Sequence, residues 1–160
     1  MLFRSVVHSC TKAAVALCLL KLIDEGKVDL HEEVRRYWPQ YAQNGKEATS
    51  VRMLLDHSAG LPALRQKLEP GAFLNWDHMV DLLAAEPPFW SPGSRHGYQM
   101  TTFGWLVGEV VRQVSGMSLG QYFKTHFASP LDLDFWIGMP DEEMHRVTPL
   151  RGAKPVRGEA

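Results

Sequence analysis

The sequence predicts a mainly α-helical chain, on three observations. Six segments carry helical apolar spacing between caps and breakers, the longest apolar run has helical length, and only Asp134 to Gly138 reads as a strand. At 160 residues the chain is long enough for one core burying roughly 70% of its unfolded surface.

The first helix is expected from Ser9 or Cys10 to Glu25, with Leu17, Leu20 and Ile23 among its apolar positions and Gly26 as its stop. Its interior, Ala13 to Ile23, is apolar apart from Lys21, which implies burial on most sides. Asp29 followed by Glu32 predicts a cap for a short helix from Glu32 to Tyr37, ended by Pro39. Ser50 is positioned to cap Val51 to His57, and Gly60 and Pro62 then open a loop whose far side is Pro70-Gly71.

A further helix is expected over Asp77 to Ala85, stopped by Pro87-Pro88, with a turn-rich loop from Phe89 to Met100 behind it. Thr101 or Thr102 begins the next helix, which runs to Val114 and ends at Gly116. Ser118 with Gln121 is a capping-box pattern opening a last helix to Phe127. From Thr148 the composition turns to glycine, proline and charge, so 148–160 is expected to be a mobile tail or truncated linker behind a domain of residues 1–147.

Charge excludes some functions. The 17 basic and 18 acidic residues are interspersed and the formal charge is −1, which makes no electrostatic case for nucleic acid or an anionic membrane. The apolar run is too short to span a bilayer and the N-terminus lacks a signal-peptide pattern, so the expected location is cytoplasmic. Cys10 and Cys18 lie about 12 Å apart along one helix, beyond disulfide reach, and read as reduced thiols.

Chemistry is suggested by Ser9-Cys10-Thr11-Lys12 at the head of the apolar helix. A helix starting there sets Lys12 one turn from Ser9 on the same face, about 5–6 Å away, with free N–H groups at the helix start. Nine serines and seven lysines predict about 0.4 such pairs by chance, so the surrounding segments decide its meaning. A helix-cap serine beside a surface lysine would leave the same pair.

Those segments are Leu54-Leu55-Asp56-His57-Ser58-Ala59-Gly60-Leu61-Pro62, Leu22 to Leu30, and Pro92-Gly93-Ser94-Arg95-His96-Gly97-Tyr98-Gln99-Met100 with the helix after it. In order and content the chain resembles the penicillin-binding-protein-like serine hydrolases, which include class C β-lactamases, and within them the β-lactamase-like carboxylesterases most of all. The resemblance runs from about Leu2 to about Val147. It implies an α+β fold in which a helical lobe faces an antiparallel sheet, and this chain reads as the helical lobe with most of the sheet missing. Only eight residues precede Ser9, and no Lys-Thr-Gly, His-x-Gly or Trp-Gly-Gly follows.

The resemblance further implies Ser9 as nucleophile, Lys12 as base and Tyr98 as the second proton-handling group. A serine hydroxyl needs a neighbour to take its proton, and a lysine does so only when neutral; near pH 7 to 8 its ammonium must be destabilised by about 3–4 kcal/mol through burial and nearby positive charge. Relatives carry Tyr-x-Asn or Ser-x-Asn where this chain has Tyr98-Gln99-Met100. The loss of the amide-gripping asparagine tips the expected substrate toward simple carboxylic esters.

Phe89, Trp90 and Met100 are the candidate lining of a substrate pocket, although Phe89 and Trp90 could equally be packing residues. A rival nucleophile elbow at Ser58 fails because Asp56 stands where a glycine is needed, and His57 reads as a turn-holding residue. Histidines at metal spacing are absent, so neither metal nor cofactor is implied.

Two functions follow. One is a serine hydrolase taking a small-molecule ester or amide through an acyl-enzyme. The other is a catalytically silent helical fragment that binds partners, or itself, through an exposed sheet-facing side.

Overall fold

A computed structural model describes residues 5–150 of the chain. Its helices are α1 (Thr11–Asp24), α2 (Val51–Leu55), α3 (Trp76–Ala85), α4 (Phe103–Ser115) and α5 (Leu119–Phe123), joined by short 3-10 turns and followed after α5 by a π-turn, Lys124–Ala128.

The expected helix over Thr101 or Thr102 to Val114 is α4, and it is the hub. It packs on α1, α2, α3 and α5, burying Leu106, Val107, Val110 and Val111 against Val15, Cys18, Leu19 and Leu22 of α1. Each fully buried aliphatic side chain of this kind contributes about 1.5–3 kcal/mol relative to exposure. Gly116, at φ +71°, closes α4 in the left-handed conformation. The predicted capping box holds, with Ser118 Oγ accepting from Gln121 N at 3.2 Å and Gln121 Oε1 accepting from Ser118 N at 3.1 Å.

α3 begins at Trp76, because the Asn75 side chain caps it by accepting from His78 N at 3.1 Å. Glu109, fully buried on α4, ties the two helices together: its carboxylate accepts from Trp76 Nε1 at 2.8 Å, Arg112 Nε at 2.7 Å and Gln113 Nε2 at 2.6 Å.

Five expectations are corrected. α1 buries one face only: Ala13, Leu17 and Leu20 point to solvent, Leu17 and Leu20 being 47% and 45% exposed, because nothing among the described residues covers them. The helix expected over Glu32 to Tyr37 shrinks to a 3-10 turn, Val34–Arg36, since Glu33 forms an antiparallel bridge with Ser50 and Val34 N donates to Thr49 O at 2.8 Å. Pro39, rather than simply ending that turn, starts a second one, Pro39–Tyr41.

Ser50 sits before α2 without capping it by its side chain; Val51 N and Arg52 N instead donate to Glu32 O and Leu30 O at 3.0 and 2.8 Å. Lastly, Asp134 to Gly138 is no strand, because no neighbouring strand exists among the described residues to pair with it. The tail expected over 148–160 lies outside the described residues from 151 onward. Among the described residues no helix is long and apolar enough to cross a membrane.

Candidate active site

Ser9 lies in the 3-10 turn His8–Cys10 that leads into α1. The residue before it, His8, has φ +46°, a left-handed conformation uncommon for residues other than glycine. One turn on, Lys12 Nζ donates to Ser9 Oγ at 3.2 Å and to the Met100 carbonyl at 2.8 Å. The same ammonium lies 4.8 Å from the centre of the Tyr98 ring. Hydrogen bonding with the Ser9 hydroxyl, and then with Lys12, holds the Tyr98 phenol below the ordinary tyrosine range. Tyr98, far away in sequence, therefore meets Ser9 and Lys12 at the start of α1, with Ser9 and Tyr98 open to solvent.

What brings Tyr98 there is the turn after α2. Residues 57–61 act as a template for the loop running from Phe89 to Thr102: Phe89 N donates to Gly60 O at 2.8 Å, Gly93 N to Ser58 O at 2.9 Å and Gly97 N to His57 O at 3.0 Å. Thr102 Oγ1 adds a buried bond to Leu61 O at 2.7 Å. Gly60 has to be glycine, since its φ is +79° and a Cβ there would stand 2.5 Å from the Trp90 carbonyl oxygen. Ser58 is buried and its hydroxyl donates to Asp56 Oδ1 at 2.5 Å, which removes it as a nucleophile.

The three candidate pocket residues divide. Met100 is 67% exposed beside Lys12, and its main chain is a partner of the lysine that side-chain patterning cannot reveal. Trp90 donates to Arg95 O at 3.0 Å and packs against Gly97, where a Cβ would come within 2.2 Å of the indole. Phe89 lies under the Arg65 guanidinium, 3.8 Å from its ring centre, and none of its hydrogen bonds or ring contacts among the described residues reaches Ser9, Lys12 or Tyr98. Trp105 is partly buried and stacks on Phe73 at 5.5 Å, in keeping with a packing role.

His57 is the residue whose place the sequence understates. It holds the turn at φ +65° as expected, and its ring also meets the Tyr98 ring edge-on, with centres 5.1 Å apart. No group of three or more His, Cys, Asp or Glu side chains among the described residues is arranged to hold a metal ion.

The family model described as Beta-lactamase matches residues 4–159. The chain belongs to the beta-lactamase family. It is 36% identical over 131 residues to "Esterase/beta-lactamase LipL" of Mycobacterium tuberculosis, a match covering 81% of this chain and 30% of that protein. Among solved structures, a penicillin-binding protein homolog from Caulobacter crescentus superposes with a TM-score of 0.89 at 39% identity, over 98% of this chain and 43% of its own. A family VIII carboxylesterase superposes with a TM-score of 0.85 at 41% identity, over 88% of this chain and 39% of its own.

This member of the beta-lactamase family thus spans about a third of the curated relative it matches. The expected fold class stands: its described residues form the helical lobe of the beta-lactamase and penicillin-binding-protein-like fold.

Proposed function

We propose that Ser9 is the nucleophile, Lys12 the general base and Tyr98 the proton shuttle of a serine hydrolase that cleaves carboxylic esters through an acyl-enzyme. The observation that carries this reading is the placement of Lys12 Nζ, 3.2 Å from Ser9 Oγ and 4.8 Å from the Tyr98 ring centre. A neutral lysine amine has two N–H donors and one lone pair. With one N–H on the Met100 carbonyl, the lone pair is free to take the Ser9 proton as Oγ attacks the ester carbonyl carbon.

The C–O bond of the tetrahedral intermediate then breaks, the alkoxide leaves with a proton passed through Tyr98, and Ser9 carries the acyl group. Water repeats the sequence in reverse, giving the carboxylic acid and restoring Ser9. The preference for esters over amides is supported by Met100, an apolar side chain where relatives of the resemblance place asparagine, and by the names of the esterase and carboxylesterase that the chain matches.

The openness of the site supports a second reading for the chain on its own. Tyr98 is 53% exposed, and no strand is available among the described residues to offer a further oxyanion donor. An oxyanion donor typically contributes about 10²–10³ in rate. Alone, the lobe would react slowly and associate through the apolar stripe of Ala13, Leu17 and Leu20.

Hydrolysis of p-nitrophenyl butyrate tests the proposal. In a protein with the chain's natural flanking sequence, Ser9→Ala is expected to abolish turnover and Tyr98→Phe to lower kcat by about 10²–10⁴. Full activity of Ser9→Ala would refute the assignment.

A further inference from the structure

We infer that His57 is a positioning residue for the proton shuttle, fixing Tyr98 in the orientation that reaches Lys12 and Ser9; the inference rests on the reading of Tyr98 proposed above.

Three contacts from one residue converge on three consecutive positions of the Tyr98 segment. The His57 carbonyl accepts from Gly97 N at 3.0 Å, the ring packs edge-on against Tyr98 with centres 5.1 Å apart and planes at 62°, and Nδ1 lies 3.1 Å from Gln99 Oε1 and 3.3 Å from Gln99 N. Gln99 is fully buried, so it is an anchor that cannot swing. The imidazole also packs on the buried Phe103 at the start of α4, 5.1 Å between ring centres. The histidine therefore contacts both the core and the shuttle.

This contact matters because the other partners of the half-exposed Tyr98 side chain are Ser9 and Lys12, the two groups it is proposed to serve. An edge-on aromatic neighbour restricts the ring. The following residue, Met100, supplies the carbonyl that holds Lys12, so a backbone fixed at Gly97 and Gln99 places both the shuttle and the base's acceptor. His57 touches neither Ser9 nor Lys12 by any hydrogen bond or ring contact among the described residues, so its influence passes through Tyr98.

The backbone conformation supplies suitable variants. At φ +65° histidine is, with asparagine and aspartate, among the non-glycine residues that occur. Asparagine tolerates this φ and sets a polar atom close to the place of Nδ1 but has no ring; glycine tolerates it and has neither.

The test is ¹³C NMR of the folded chain labelled at tyrosine Cζ, following each phenol through its titration. Tyr98 is identified by the signal lost in Tyr98→Phe, and Tyr37, Tyr41 and Tyr122 serve as internal controls. The ionisable groups around Tyr98 are Lys12, Cys10 and His57. In the unaltered chain the Tyr98 midpoint is expected below that in Lys12→Ala. In His57→Gly it is expected to rise to the Lys12→Ala value, and in His57→Asn to fall between the two, with helical circular dichroism and the other three tyrosines unchanged.

A Tyr98 midpoint raised in either folded variant supports the inference. A midpoint left at its original value in both folded variants overturns it while leaving the Ser9, Lys12 and Tyr98 assignment intact. A midpoint in the unaltered chain equal to that of Lys12→Ala overturns the assignment and the inference with it.

Discussion

Lys12 Nζ donates to the carbonyl of Met100 at 2.8 Å across 88 positions of sequence. The bond joins the first turn of α1 to the end of the Tyr98 loop and fixes the amine through a group that no side-chain substitution at position 100 removes. The Met100 side chain itself is exposed and takes no part in holding the lysine.

Met100→Asn should consequently keep the lysine in place and change selectivity. In a protein with the chain's natural flanks, short-chain p-nitrophenyl esters are expected to be turned over and a chromogenic cephalosporin slowly or not at all. The asparagine variant should raise the cephalosporin-to-ester ratio by about tenfold, equivalent to one added hydrogen bond of roughly 1.4 kcal/mol. An unchanged ratio, or efficient cephalosporin turnover by the unaltered protein, would count against a role for Met100 in selectivity.

The two thiols should behave differently. Cys18 is fully buried on α1 and desolvation pushes its thiol up from 9.0 to about 12, while Cys10 is exposed beside Ser9. At pH 8 iodoacetamide is expected to modify Cys10 in the folded chain and Cys18 only after unfolding. Because the folded thiol holds its proton above the pH at which the unfolded thiol loses it, Cys18 favours folding fully below pH 9.0 and loses that contribution as pH rises toward about 12. Stability should therefore fall across this window by about 1 kcal/mol per pH unit from Cys18, and Tyr122, whose phenol burial also pushes up to about 12, adds to the fall above pH 10.0. Denaturant titrations of Cys18→Ala at several pH values should show a shallower decline; an identical slope would contradict the burial argument.

Lys46 is a stability site outside the catalytic reading. It is 1% exposed, and its ammonium donates to the carbonyls of Gln43, Ala84 and Glu86 at 3.0, 3.0 and 2.7 Å, pinning the loop before α2 to the end of α3. Lys46→Met would remove the ammonium from the Ala84 and Glu86 carbonyls, while the Gln43 carbonyl keeps the backbone N–H of position 46, and is expected to lower unfolding free energy by about 2–3 kcal/mol. A change below about 0.5 kcal/mol by urea denaturation would show that the staple contributes little.

Exposure of Leu17 and Leu20 predicts association of the chain when it is isolated. Sedimentation velocity at tens of micromolar should show dimers or larger species, and the double variant Leu17→Glu, Leu20→Lys should be monomeric with the same helicity. A monomeric unaltered chain would remove this expectation.

The parts of the fold specified by neighbours in sequence were legible, and those specified by distant contacts were not. Gly116 and the Ser118 to Gln121 box act within one turn, so the end of α4 and the start of α5 could be placed closely from sequence, whereas the helix expected to Phe127 turns into a π-turn after Phe123. The spacing of Ser9 and Lys12 is likewise a local consequence of one helical turn. Ser50 shows the limit: its residue type fits a cap, yet carbonyls of Leu30 and Glu32 reach the same N–H groups first. Asp134 to Gly138 has strand composition but no partner, and a strand is a property of a pair. At the site, the Met100 carbonyl has no signature because every residue has one, and the contact of His57 with Tyr98 exists only once the two loops are stacked.

The central claim is that Lys12 makes Ser9 a nucleophile. The most direct measurement is site-resolved mass spectrometry of the chain after treatment with a fluorophosphonate probe, compared with Lys12→Ala. The account predicts slow labelling that falls on Ser9 alone among the nine serines and disappears in Lys12→Ala. Label spread over several serines, or Ser9 labelled equally with and without Lys12, would contradict it.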